Sequence, residues 1–182
     1  EEIERLVHEE HPVIKPIGFK SLFRKETLEN DLNFYFGENW QNEINISKSA
    51  EEYVKRIHFV AKKSPELLVG HHYTRYIGDL SGGQILKKIA KKALNLDGNN
   101  GLNFYEFKKI VDEKKFKEEY SKTLNQLPIN QTIADQIIDE ANQAFNYNMK
   151  MFKELEGNLI AVLGKIVFNF LTKKVKKGST ET

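Results

Sequence analysis

Apolar residues recur at steps of three and four along most of this chain, and no stretch alternates convincingly as a strand would. EEIERLVHEE (1–10) reads as the last turns of a helix, ended by Pro12 and Pro16, which make 11–19 an extended connection. Over 22–36, Leu22, Leu28, Leu32 and Tyr35 or Phe36 fall at helical spacing, and Gly37 stops the run. Ser49 followed by Glu52 predicts a capping box opening a helix that lasts to about Lys63. Ser64–Pro65 then supplies an N-cap with proline at the first helical position. A long helical pattern follows from Pro65 to about Leu94, interrupted only by Gly78 and the pair Gly82–Gly83. DGNNG (97–101) is a loop, 113–124 a short charged helix, and Pro128 closes the stretch after it. The last strong helix begins near Asn130, a good N-cap. Its stripe is Ile133, Ile137, Ala141, Ala144, Phe145, Asn148, Met149, Phe152 and Leu155. The pattern predicts an all-α fold, several helices around one core, with no internal repeat and no low-complexity segment.

The most apolar window, NLIAVLGKIVFNFL (158–171), divides the chain into a main domain over 1–157 and a C-terminal apolar helix with a basic tail over 158–182. Lys165 interrupts the window, which is shorter than the ~20 residues that span a bilayer. A packed or interfacial helix is expected, and KKVKK (173–177) suits contact with anionic headgroups at a membrane surface. The opening residues lack the apolar core of a secretory signal, and Glu1 reads as the middle of a helix whose start lies upstream.

Composition narrows the chemistry. Hydrophobic residues are 40% and charged residues 30% of the 182, as in a globular protein. A net charge of +2 gives no case for nucleic acid. The first fifty residues carry 10 acids and 6 bases, so the rest hold a basic excess. That excess suits an acidic partner protein, an anionic cofactor or a membrane surface, although most of these lysines read as solvated helix surface. With no cysteine, disulfides, thiolate metal sites and cysteine nucleophiles are excluded, and a reducing compartment is suited.

Gly78, Gly82 and Gly83 need a physical reason, since each costs about 1 kcal/mol in a helix interior relative to alanine. A tightly packed helix or a flat ligand would each require the bare backbone, and a spacing of four puts Gly78 and Gly82 on one face. Asp79 sits beside that face, with Arg75 one turn before it and the hydroxyls of Tyr73, Thr74 and Tyr76 nearby. A plain i,i+4 ion pair on a helix surface accounts equally well for Arg75 and Asp79 taken alone. LSGGQ (80–84) is also the signature pentapeptide of ABC-type ATPases. That reading needs a phosphate-binding loop, and Gly164–Lys165–Ile166 lacks both the hydroxyl and the offset glycine.

YTRYIGDLSGGQ (73–84) resembles the signature of heme oxygenases of the eukaryotic, biliverdin-forming type. ERLVHEEHPVIKPI, KETLENDLNFYFG, EYVKRIHFV, PELLVGHHYTRY, GGQILKKIAKKAL and EANQAFNYNMKMFKEL are similar to that family in the same order, over roughly 1–156. The resemblance implies a multi-helix fold with a glycine-kinked distal helix across one heme face. It also implies an enzyme that opens heme, its substrate and cofactor, to biliverdin, carbon monoxide and ferrous iron with O2 and electrons from an NADPH-dependent reductase. A non-catalytic heme-binding or sensing protein on the same scaffold is the alternative, disfavoured by the presence of Asp79.

Carried over, Asp79 holds a water beside the dioxygen and Arg75 anchors that network. Gly78, Ser81, Gly82 and Gly83 let the backbone approach the porphyrin, and Tyr73 and Thr74 lie near its edge. Lys117 in KFKEEY contacts a propionate; Ser121 stands where the family often has an arginine, which puts the clamp and the cleavage position in question. Phe145, Asn148 and Phe152 match the helix that closes the distal side, and read equally as core packing at helical spacing. The iron ligand of the family is a histidine on an N-terminal helix, expected upstream of Glu1. None of His8, His11, His58, His71 and His72 reads as that ligand, so no metal-ligating residue is assigned and the chain as given is expected to bind heme weakly. Lys87, Lys88, Lys91 and Lys92 are a candidate reductase surface, and the location implied is cytoplasmic, at the cytosolic face of the endoplasmic reticulum if the tail meets a membrane.

Overall fold

In the computed structural model, residues 1–154 are described, and among them every regular element is a helix. The order is α1 (Glu2–His8), α2 (Lys25–Phe36), α3 (Trp40–Glu43), α4 (Lys48–Lys63), α5 (Leu68–His72), α6 (Gln84–Ala93), α7 (Glu113–Asn125) and α8 (Gln131–Glu154). Between α5 and α6 the chain stays helical but widens into two π-helical segments, Tyr73–Ile77 and Asp79–Gly83, joined by Gly78. The expected run from Pro65 to Leu94 is thus nearly continuous, opened by a single turn over Pro65–Leu67. The apolar window 158–171 and the basic tail lie outside the described residues, as does the division at 157. Among the described residues no helix is long and apolar enough to cross a membrane.

Three local expectations are corrected. Residues 11–19 are not extended: they fold into turns, with a short 3-10 helix over Lys15–Ile17. Those turns drive Val13, Ile14 and Ile17 into the core with Leu22, and each such side chain contributes about 1.5–3 kcal/mol by burial. The cap of α4 is Ser47, whose hydroxyl accepts from Ala50 N at 3.2 Å; Ser49 is instead buried, and its backbone N–H donates to Glu154 Oε1 at 2.9 Å. Helix α2 begins at Lys25, and its stripe does not face the core. Leu28, Tyr35 and Phe36 are exposed, and the buried residue is Asp31. By contrast, α7 and α8 start as read, with the Asp112 carboxylate accepting from Lys115 N and the Asn130 amide oxygen from Ile133 N.

The core joins the N-terminal turns to Val60 and Ala61 of α4, Leu68 and Val69 of α5, Leu80, and Tyr120 of α7. Helix α5 lies directly on α8. A Cβ added to Gly70 would stand 2.8 Å from both Ala141 N and Ile137 O, so this glycine, unremarked in the sequence, is the one that permits close helix contact. That approach places the segment after α5 beside the middle of α8.

Candidate active site

Gly78 and Gly82 are exposed, and a Cβ at either would meet nothing within 4 Å. No helix among the described residues packs on them, which removes tight packing as the reason for their bare backbone. Gly83 differs: a Cβ there would lie 3.1 Å from Tyr105 Cδ1 and 3.2 Å from Asp79 Cβ. One glycine is therefore needed for packing, and two leave an open strip of helix backbone.

Asp79 lies beside that strip and is buried. Arg24 Nη2 donates to its Oδ2 at 3.0 Å, and Arg75 Nη2 approaches the same oxygen at 3.3 Å. Among the described residues Oδ1 has no partner, so one oxygen of the carboxylate is anchored and the other is free to accept. Arg24 is itself buried; its Nη1 donates to Phe104 O, and its guanidinium stands 4.1 Å from the Phe104 ring centre and 4.9 Å from those of Tyr76 and Phe107. Burial draws its pKa below the ordinary arginine value, against the opposing pull of Asp79. Such a cation is kept in place by its carboxylate and three aromatic faces. Arg75 Nη1 donates to Asn148 Oδ1 at 2.5 Å, and Asn148 Nδ2 donates to Ala144 O, so α8 holds Arg75 through a buried amide.

The other expected residues divide. The structure brings Arg75, Asp79 and Asn148 together, and Arg75–Asp79 is more than a surface pair because its acid is buried. Tyr73, Ser81, Phe145 and Phe152 are exposed. At 58% exposure Phe145 is not a core residue, so simple packing does not explain it or Phe152. Thr74 is half-buried, its hydroxyl donating back to Gly70 O at 2.8 Å and lying 3.4 Å from Ala141 O of α8. Lys117 is not joined to the Asp79 cluster; its ammonium pairs with Glu113 at 3.5 Å on α7. Helix α7 does reach Tyr73, through Tyr120, with ring centres 6.5 Å apart.

The histidines are engaged elsewhere. His71, buried, bonds Tyr53 Oη at 3.2 Å and Glu140 Oε1 at 2.8 Å, and Glu140 pairs with Arg56. Burial lowers the His71 pKa in spite of Glu140, while Arg56 and His71 outweigh burial to lower that of Glu140. His72 stacks on Tyr120 and bonds its hydroxyl at 2.7 Å. His58 pairs with Glu2 on the surface, the His11 ring takes the N–H groups of Val13 and Ile14, and His8 is exposed. Among the described residues no three metal-ligating side chains cluster. A cavity of about 490 Å³ beside the arginines is lined by Arg24, Tyr53, His72, Arg75 and Tyr76 among others. Arg24 Nε and His72 Nε2, both buried with no hydrogen-bond partner among the described residues, belong to residues of that wall.

Arg24 is the residue that sequence reasoning missed. It lies 55 positions from Asp79, just ahead of α2, and no local periodicity announces such a pair. The structure thus presents a buried carboxylate gripped by arginines from two parts of the chain, beside an open backbone strip. The sequence profile described as heme oxygenase covers residues 1–154. The chain belongs to the heme oxygenase family. Heme oxygenase 1 of Nostoc sp. is 53% identical over 181 residues, covering 100% of this chain and 75% of the relative. Heme oxygenase 1 of Synechocystis sp. is 56% identical over 172 residues, 94% of this chain and 71% of the relative. Among solved heme oxygenases, the crystal structure of Synechocystis heme oxygenase-1 in complex with heme superposes with a TM-score of 0.79 at 54% identity, over 93% of this chain and 77% of that one. Heme oxygenase from Leptospira interrogans gives 0.79 at 44% identity, over 85% and 74%.

Proposed function

We propose that in this heme oxygenase the open strip at Gly78 and Gly82 is one wall of the heme site, and that Asp79 holds the proton-bearing water there. The observation that carries the reading is a buried carboxylate with one oxygen held by two arginines and the other free, next to helix backbone that no side chain covers. Heme suits these residues: a flat ligand needs the missing Cβ atoms, and the exposed rings of Tyr73, Phe145 and Phe152 offer apolar edges. When bound, heme supplies both the iron at which dioxygen is reduced and the ring that is opened to biliverdin, carbon monoxide and ferrous iron.

The chain's own part is positioning and proton supply. Arg24 and Arg75 fix Oδ2, which aims Oδ1; Asn148 fixes Arg75 in turn. A water accepted by Oδ1 has its remaining proton directed away from the carboxylate. Gly78 and Gly82 keep that space free of side chains, and Ser81 stands exposed between them. Lys117, half-buried on α7, is assigned to a heme propionate; Ser121 one turn later brings no charge, so Lys117 and Lys122 carry the clamp.

The test is Asp79→Asn, loaded with hemin and reduced with ascorbate. Heme affinity is expected within twofold of the parent, and biliverdin yield per heme lower by roughly a hundredfold. Undiminished biliverdin from this variant overturns the assignment.

Electrons reach the site, in this reading, from an acidic NADPH-dependent reductase docked on α6 in the cytosol, at the face of the endoplasmic reticulum where a tail meets membrane. Lys88, Lys91 and Lys92 are exposed there, whereas Lys87 is half-buried against Glu106 and is excluded from the docking set. Reversing the three exposed lysines to glutamate should slow reductase-supported turnover several-fold and leave ascorbate-supported turnover intact. Equal loss in both would remove the docking surface.

A further inference from the structure

Tyr105 has a ring that packing explains and a hydroxyl that packing does not. Its Cδ1 and Cε1 lie against Gly83, where a Cβ would approach them to 3.1 and 3.3 Å; the Asp79 Cβ flanks the same glycine at 3.2 Å. The Tyr105 ring and the root of the Asp79 side chain therefore flank the same glycine. The main chain at Tyr105 is held from two directions. Gln84 Nε2 donates to its carbonyl at 2.8 Å. The buried Asp31 carboxylate accepts the N–H groups of Asn103 and Phe104 at 2.9 and 2.7 Å. The Phe104 ring meets the Tyr105 ring edge-on at 5.3 Å and also covers Arg24. A phenylalanine would satisfy all of these contacts. Among the described residues the Tyr105 hydroxyl has no hydrogen-bond partner, and it is not sealed from solvent.

We propose that Tyr105 is a further positioning residue of the Asp79 site, its hydroxyl donating to the same water that Asp79 Oδ1 accepts. The proposal rests on the assignment of Asp79 given above. One acceptor and one donor from separate elements then define where the water sits: Asp79 from the π-helical segment and Tyr105 from the turn after α6. The charges around the phenol agree with this placement. Its pKa is raised by burial and next by the Asp79 carboxylate, with Arg75 and Arg24 pulling it down and Asp31 up. A phenol kept protonated in this way is a donor throughout the neutral range.

The first experiment needs no heme. With Cζ-labelled tyrosine, the Tyr105 resonance, assigned by its loss in Tyr105→Phe, is followed by NMR from neutral to alkaline pH. In Asp79→Asn the Tyr105 pKa is expected to fall by about half a unit or more, as the carboxylate charge is removed; an unchanged titration overturns the proposal. In the second experiment, hemin-loaded Tyr105→Phe is compared with the parent by the alkaline absorption change of the ferric heme's water ligand. A shifted midpoint with unchanged heme affinity is expected, and a midpoint identical to the parent's overturns the proposal. Undiminished biliverdin from Asp79→Asn would count against Asp79 itself, while the heme-free titration still decides the pairing of Tyr105 with that residue.

Discussion

At Asp79 two guanidinium groups meet a single carboxylate oxygen, and the two arginines are not equivalent. Arg24 is buried under aromatic rings, whereas Arg75 is part exposed and tethered by Asn148. Removing the buried cation leaves a buried anion with one partner. Arg24→Met should therefore destabilise the fold by about 3–5 kcal/mol, read from urea unfolding, and Arg75→Met by clearly less. If the two variants unfold alike, Arg24 is not the principal anchor. The glycines allow the opposite kind of test. Because a Cβ at Gly78 meets nothing, Gly78→Leu should leave stability unchanged or raise it by up to about 1 kcal/mol. The same side chain would occupy the surface assigned to heme, so hemin affinity should drop at least tenfold. Full affinity in a folded Gly78→Leu protein would move the heme site elsewhere.

Among the elements, the segment from α5 to α6 does two jobs with different glycines. Gly70 brings α5 onto the backbone of α8, which delivers Asn148 to Arg75, while Gly78 and Gly82 stay bare beyond it. Gly70→Val would force those helices apart, since the backbone atoms 2.8 Å away cannot rotate aside as a side chain can. A loss of about 1–3 kcal/mol is expected. Activity should fall with it as Asn148 withdraws from Arg75; wild-type melting and turnover would show the contact to be slack. The π-helical turns belong at this scale as well. Their wider hydrogen-bonding step offsets residues from α-helical register, so the four-residue spacing of Gly78 and Gly82 is a looser guide to a shared face than in an α-helix.

For the molecule as a whole, pH sensitivity follows from where the histidines are buried. The His72 pKa is lowered to about 3 from 6.5, by burial first and by the Arg24 charge second. Its folded pKa lies below the unfolded one, so the unfolded chain binds the extra proton between those values. Stability from neutral His72 is then complete above pH 6.5 and is lost as the pH falls toward 3, with a slope of up to about 1.4 kcal/mol per unit. His71, also lowered by burial, adds a loss in the same direction. Urea unfolding at stepped pH should show this slope. A double variant His72→Phe with Tyr120→Phe, which strands no hydrogen-bond partner, should flatten it; an equally steep double variant would assign the acid sensitivity to other groups.

The sequence by itself determined the all-α class, most helix starts and the stretch 73–84, because helical periodicity, caps and glycine cost are local quantities. It also carried the resemblance that the match over residues 1–154 bears out. It misread 11–19 as extended, since proline signals a break in regular structure without saying how the chain turns. It placed the stripe of α2 at helical spacing without deciding its burial, since periodicity says which residues share a face and not whether that face is covered. Only the tertiary structure decided that Gly78 and Gly82 are open while Gly83 and Gly70 are packed. Only it paired Asp79 with Arg24 and set Tyr105 beside them. Those pairings join residues tens of positions apart, and what brings them together is the burial of apolar surface, whose energy depends on the packed assembly of helices and has no local signature.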